Sequence, residues 1–380
     1  MNGNDISQIE KDIRGWDSIE DHRTGTEGDS ETTDWLANLI EEAGGHPRID
    51  EFKFTRRVLG RSFVTIDGTE IKGIPLFDAP ATPKEGITGI AVTIDSYGGI
   101  GINSFTPNDG NTALNKARSA QQLDAIVAYS QSEVGGLSLL NADRFDSPFG
   151  PPVLQVSSEH RDLLEEAKAS KKECTVYIEF DREETTASNV QVKIPGTDPN
   201  LPEVIIMTPK SAWWTCTAER CGGIAIWLAC LRHFLKNQPK RTINFTANTG
   251  HELGHVGLDH YLASRKEKGQ ETHVWLHLGA NFSAIDSKIR FQASDEILMK
   301  LGKSCLKKSD IEPDQITNIG SRPFGEARNI FDQKGRYLSL LGTNRWFHNS
   351  QDRWPISVNV SQTGRLAKAV LTAATTIANQ

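Results

Sequence analysis

The stretch VIIMTPKSAWWTCTAERCGGIAIWLACLRHFLKNQPKRTINFTANTGHELGH, residues 204–255, decides how the chain folds. It opens on Val204 to Met207, an apolar run whose length and β-branched content read as a buried strand. Gly222 to Leu235 reads as an apolar helix, Lys236 to Lys240 as a polar turn, and Thr242 to Ala247 as the next strand. Downstream, the same rhythm gives a helix over Leu258 to Lys266 and a strand over Val274 to Leu278. An Ala-rich amphipathic helix, Gly364 to Ala378, closes the chain. Alternating strands and helices imply an α/β fold, with a mostly parallel sheet sandwiched by helices. Ligands of such sheets bind at the carboxyl ends of the strands, so the residues just after each strand are the candidate site.

Upstream, Asp29 to Gly45 reads as a capped helix. Asp29 or Ser30 serves as N-cap, Trp35, Leu36, Leu39 and Ile40 form the apolar face, and Gly44 and Gly45 end it. From Leu59 to Thr186 the texture changes. Short β-branched runs (Ser62 to Ile66, Gly89 to Ile94, Thr175 to Phe180) are punctuated by Gly, Pro and Asp. One helix-like stretch, Asn111 to Gln122, precedes the apolar strand Asp124 to Tyr129. The expected organisation is an α/β domain of residues 1–58 and 190–380 with a β-rich insert over 59–189.

The 380 residues are 37% hydrophobic and 24% charged, an ordinary globular composition. A net charge of −7 without a basic tract argues against nucleic acid as a partner. No run approaches the length of a membrane span, and the first residues are polar. Five scattered cysteines, an odd number, argue for free thiols in a reducing compartment, so a cytoplasmic location is expected. The expected partner is a small-molecule or short peptide-like substrate, and a homo-oligomer is left open.

The strand ends carry the chemistry. Thr208-Pro209-Lys210-Ser211-Ala212-Trp213-Trp214 follows the first strand, and Glu219-Arg220-Cys221 opens the helix after it. Asn248-Thr249-Gly250-His251-Glu252-Leu253-Gly254-His255 follows the second, His277 lies in the third, and His348-Asn349-Ser350-Gln351-Asp352 lies near the C-terminus. Recurring His and Glu at successive strand ends is what a metal site needs.

In this order the motifs resemble the di-zinc aminopeptidase family, metallopeptidase family twenty-eight, whose relatives include glutamate carboxypeptidase and glutaminyl cyclase. Pro195-Gly196-Thr197-Asp198 is similar to that family's Pro-Gly-Ser-Asp turn. His251-Glu252-Leu253-Gly254 falls on its Glu-Glu-Leu-Gly, and His348 to Asp352 resembles its His-Thr-x-x-Asp. Lys116 to Gln121 and Pro152 to Ser157 resemble landmarks of a protease-associated domain. The resemblance implies a zinc-aminopeptidase, phosphorylase/hydrolase-like sheet with a protease-associated-like insert.

It also implies a rewritten metal site. The family's first ligand, a His, falls on Pro209, which binds no metal, and its Asp partner falls on Ser211. The bridging Asp falls on Glu219, the general-base Glu on His251, the adjacent ligand Glu on Glu252, the next Asp on His277 and the last His on His348. Glu219, Glu252, His277 and His348 would then hold one divalent metal (zinc first, manganese or iron as alternatives), or the site holds none. His251 and Glu252 are the catalytic candidates, His251 as the proton carrier.

His251 to His255 also spells His-Glu-x-x-His, in which both histidines would bind zinc from one helical face and Glu252 would be the base. The third-ligand spacing fits poorly, because Gly257 and His260 each fall one position early for the extended form. Trp213, Trp214, Arg220, Glu326, Arg345 and Trp346 are candidate substrate-binding residues: aromatics for a flat group, arginines for a carboxylate. The expected function is a metal-dependent hydrolase of an amide or related C–N bond in a small molecule. The alternatives are a non-catalytic binding protein on a peptidase fold and a metal-free enzyme using His251.

Overall fold

The computed structural model describes residues 3–107, 112–267 and 271–380. Four strands run parallel through its centre, in the order Ile243–Asn248, Glu203–Pro209, Thr272–Leu278 and Tyr337–Leu341. Antiparallel strands flank them, Glu173–Ile194 on one side and Arg290–Ala293 on the other. The α/β class holds, with a sheet that is parallel at its centre and mixed at its margins.

Glu203–Pro209 is buried along its whole length. Its side chains alternate between two layers, as the two-residue period of a strand requires. Val204 and Ile206 pack with Trp227 and Phe234 of the helix Thr217–Lys236 and with Leu366 and Val370 of the helix Val360–Ala378. Ile205 and Met207 pack on the opposite face with Leu258, Tyr261 and Trp275. Burial on both faces is why the strand reads as a continuous apolar run.

Two helix starts differ from expectation. The helix expected from Gly222 begins at Thr217, because the Asp352 carboxylate accepts from Ala218 N (2.9 Å) and Glu219 N (3.0 Å). A cap supplied from residue 352 leaves no local trace in the sequence. The earlier helix, Glu27–Glu42, is capped by Thr26, not Asp29 or Ser30; the Thr26 side chain accepts from Asp29 N at 3.4 Å. Asp29 lies inside the helix, engaged in an ion pair described below. Gly28 in its first turn faces the Asp21 carbonyl, and an added Cβ would come within 1.6 Å of that oxygen. Gly28→Ala is expected to destabilise the protein by about 1–3 kcal/mol through forced backbone displacement, read as a lowered urea midpoint.

Arg48–Ile66 and Glu173–Ile194 pair antiparallel along most of their length, from Arg48↔Gln191 to Ile66↔Cys174. The expected runs Ser62 to Ile66 and Thr175 to Phe180 are portions of these two strands. Between them in sequence, Thr69–Pro75, Val153–Val156, Ala125–Ser130, Ile100–Phe105 and Ile87–Thr93 lie side by side in that order. Val64, Ile102, Val127, Leu154 and Val176 form a core of their own. The helix expected from Asn111 runs over Thr112–Ala120, and Asn111 itself lies outside the described residues. The five cysteines are buried and unpaired. No helix among the described residues is long and apolar enough to cross a membrane.

Candidate active site

The carboxyl ends of the parallel strands open into a cavity of about 540 Å³. His251, His255, His277 and His348 line it together with Phe347 and Arg328. Part of the opposite wall comes from the 59–189 segment, through Asp78, Arg118, Asn141, Arg144 and Phe149.

His251 sits in the 3₁₀ turn His251–Leu253, bounded by Gly250 (φ +76°) and Gly254 (φ +81°). Those left-handed conformations let the chain leave the strand and turn back sharply. His255 is also left-handed (φ +68°), and the helix begins only at Val256. The two histidines therefore do not project from one helical face, which overturns the His-Glu-x-x-His arrangement with Glu252 as its base. Their rings nonetheless stack, with centroids 4.8 Å apart.

The imidazole Nδ1 of His251 lies 3.0 Å from Glu326 Oε1. Burial pushes the Glu326 carboxyl up to about 8, against the pull of Arg220 and Arg328. Burial, then the Arg220 charge, hold His251 well below the usual imidazole range. Both shifts favour the neutral form of each group, joined by one hydrogen bond. The Nδ1 of His255 meets the Asn329 side-chain oxygen at 2.8 Å, and Asn329 in turn donates to Asp259. That relay fixes the amide and so the His255 tautomer, leaving Nε2 as an acceptor. Burial lowers His255 and His277 to about 3.

Glu252 turns elsewhere. Its Oε1 accepts from Thr24 N (2.8 Å) and its Oε2 from Ser211 Oγ (2.6 Å), while Ser211 Oγ accepts from His251 N (3.1 Å). His348 Nδ1 donates to Leu139 O (2.7 Å), and its Nε2 lies 3.3 Å from Glu219 Oε1. His277 Nδ1 is held by Ser339 Oγ at 2.8 Å. Arg220 is fully buried; Nε donates to Ser211 O (2.8 Å) and Nη2 lies 2.7 Å from Glu219 Oε1. Burial alone would raise the Glu219 carboxyl, but Arg220 and then His348 outweigh it and hold it down at about 2.

Of the expected ligands Glu219, Glu252, His277 and His348, Glu219 and His348 approach within 3.3 Å, while Glu252 and His277 are engaged by other partners. Among the described residues, the set whose ligand atoms all lie within 4.8 Å of one another is His251, His255 and Glu326. The His-Glu-x-x-His spacing pointed to two of these, and Glu326 was expected only as a substrate contact. Trp213 is buried against Phe77, with its indole N–H on Asn141, and Trp214 donates to His348 O. Both brace the site from behind. Arg345 pairs with Asp286 and lies over Trp346 at the rim of an adjoining cavity.

No model of a known protein family matches the chain. It is 28% identical over 162 residues to a vacuolar membrane protease of Vanderwaltozyma polyspora, covering 41% of this chain and 15% of that protein. To the corresponding protein of Lachancea thermotolerans it is 33% identical over 81 residues, covering 21% of this chain and 8% of that one. The aligned region is thus a small fraction of those relatives' length. Among solved structures, a zinc aminopeptidase of Bacillus subtilis superposes with a TM-score of 0.80 at 14% identity, covering 99% of this chain and 95% of that one. A peptidase M28 precursor of Shewanella amazonensis gives 0.75 at 16% identity, covering 99% and 97%. The fold is that of the zinc aminopeptidases, in agreement with the resemblance carried by the sequence motifs.

The donor set does not fit the two zinc ions that the sequence resemblance implies. Pro209, on which that resemblance places a ligand, offers no donor; both Glu252 oxygens accept hydrogen bonds, and Glu219 is already in contact with a guanidinium. A cation held against Glu219 opposes a second cation there.

Proposed function

We propose that this chain hydrolyses an amide or related C–N bond of a small molecule, with His251 as the group that moves the proton. The observation that carries the reading is the His251–Glu326 pair at the wall of the cavity. Nδ1 is engaged by a buried carboxyl, so Nε2 is left to meet water or the leaving nitrogen. In the sequence resemblance, His251 falls on the family's general-base position. Arg290, stacked on Phe324 at 3.9 Å and bonded to the neutral Gln315, is suited to a substrate carboxylate at the same cavity. The 59–189 segment is, in this reading, a protease-associated-like insert that closes the cavity from the far side.

A second reading is favoured by the grouping of His251, His255 and Glu326. These three would hold one divalent ion, zinc, manganese or iron, and that ion would supply Lewis-acid polarisation of the substrate carbonyl.

The test is hydrolysis of a panel of aminoacyl and N-acyl nitroanilides, before and after exhaustive chelation. Turnover that survives chelation is the expected result. Turnover that is lost on chelation and restored by zinc or manganese selects the second reading. Binding of panel members without any turnover would make the chain a binding protein and sink the hydrolase proposal.

A further inference from the structure

The Arg220 guanidinium is a charge buried where the related fold handles metal. Its side chain has no exposed surface, and neither does that of Glu219. A buried arginine normally spends its donors on carboxylates or carbonyls, because an unpaired buried charge is costly. Here Nε is spent on the Ser211 carbonyl, and Nη2 touches Glu219 Oε1 as an ion pair rather than an aligned hydrogen bond. Nη1 and Nη2 donate to no acceptor, and Glu219 Oε1 and His348 Nε2 likewise have no hydrogen-bond partner. Four buried polar atoms from these three side chains are therefore left without an aligned hydrogen bond, while His348 N donates to the other Glu219 oxygen at 3.3 Å.

The tautomer of His348 sharpens this. A carbonyl oxygen can only accept, so Nδ1 carries the proton donated to Leu139 O. The ring's Nε2 faces the Glu219 carboxylate, 3.3 Å from Oε1, the same oxygen that Arg220 Nη2 approaches at 2.7 Å. That is how a metal ion would be flanked by these ligands, and the positive charge actually present is the guanidinium.

We infer that Arg220 is a resident cation standing in for a metal ion between Ser211 and Glu219, so that the Glu219–His348 half of the site takes no divalent metal while Arg220 is in place. The guanidinium is fixed, singly charged and unable to lose its proton, so it neutralises Glu219 without offering an open coordination position. Ser211 completes the exchange. Where the sequence resemblance places a ligand carboxylate, the serine carbonyl receives Arg220 and its hydroxyl occupies one Glu252 oxygen, so position 211 supplies no anion to a second ion.

This inference concerns the Glu219–His348 half and holds whether His251 acts alone or with an ion bound at His251, His255 and Glu326. The experiment is calorimetric titration with zinc and with manganese, plus elemental analysis, on the full chain and on Glu219→Gln, His348→Ala and His255→Ala. The expected result is a metal content that Glu219→Gln and His348→Ala leave unchanged, whether it is zero or one ion per chain. A bound ion lost in His255→Ala alone would speak for the second functional reading and still support Arg220 as the resident cation. A wild-type ion lost in Glu219→Gln or His348→Ala, with circular dichroism unchanged, overturns the inference.

Arg220→Ala gives the converse arm. Its melting temperature is expected to fall, and zinc should raise it by several degrees more than it raises that of wild type. An equal zinc response in both proteins overturns the inference. Should Arg220→Ala fail to fold, the Glu219→Gln and His348→Ala titrations decide it.

Discussion

His251→Ala is expected to leave a folded protein whose amide hydrolysis has fallen by about 10²- to 10⁴-fold, the usual contribution of a positioned proton-transfer group. The fall should lie in kcat, with KM little changed, because the imidazole is small beside a cavity of about 540 Å³ and other groups shape most of the wall. Added imidazole should restore part of the lost rate in His251→Ala, which repair of a merely structural role would not do. Glu326→Gln should lower the same kcat less severely. It keeps the hydrogen bond to Nδ1 at 3.0 Å but removes the group with which the ring exchanges its proton. A His251→Ala protein with native circular dichroism and unchanged kcat would remove His251 from the reaction and, with it, the proposed mechanism.

The architecture was legible in the sequence because burial writes itself into composition. Val204 to Met207 is apolar without interruption because both faces of the strand are covered, and the helix that follows is apolar for the same reason. His251 and His348 were legible because chemistry-bearing residues gather at strand ends. Helices lacking such contrast were not seen: Gly3–Asp17 is mostly polar, and only Ile9, Ile13 and Trp16 are driven into the core. Glu296–Lys307 mixes its apolar residues with three lysines and a glutamate, and went unread.

The placement of charge was the least legible feature. Lys210 and Arg220 look like ordinary surface residues in the chain, yet both are fully buried. What buries them is long-range: Asp29 reaches Lys210 across 181 positions of sequence, and Glu326 reaches His251 across 75. No local pattern encodes such pairs. Asp29 illustrates the confusion, since a residue type that caps helices in isolation is here committed to an ion pair and Thr26 takes the cap. Glu252, His277 and His348 are likewise engaged by partners that only the fold brings near, whereas Glu219 is held by its sequence neighbour Arg220.

Lys210→Met should be the most destabilising of the substitutions considered, by about 3–5 kcal/mol, the usual cost of leaving one member of a buried ion pair uncompensated. The Lys210 side chain has no exposed surface and that of Asp29 is only 3% exposed. The Asp29 carboxylate also accepts from Gly25 N (3.0 Å) and Thr249 Oγ1 (3.0 Å), so it ties the N-terminal turn to the loop that carries His251. Thr249 Oγ1 meets Thr24 Oγ1 at 3.0 Å, and Thr24 N donates to Glu252, so the network ends at the active-site wall. Losing Lys210 should therefore lower kcat as well as the urea midpoint. Lys210→Met combined with Asp29→Leu replaces both charges by apolar groups and should recover much of the stability, since a buried pair costs desolvation that an apolar pair does not. It should not recover kcat, because Asp29 no longer holds Gly25 and Thr249. If Lys210→Met alone unfolds at the wild-type urea concentration, the pair contributes nothing to stability and the anchoring of the His251 loop must come from the Thr24–Glu252 bond instead.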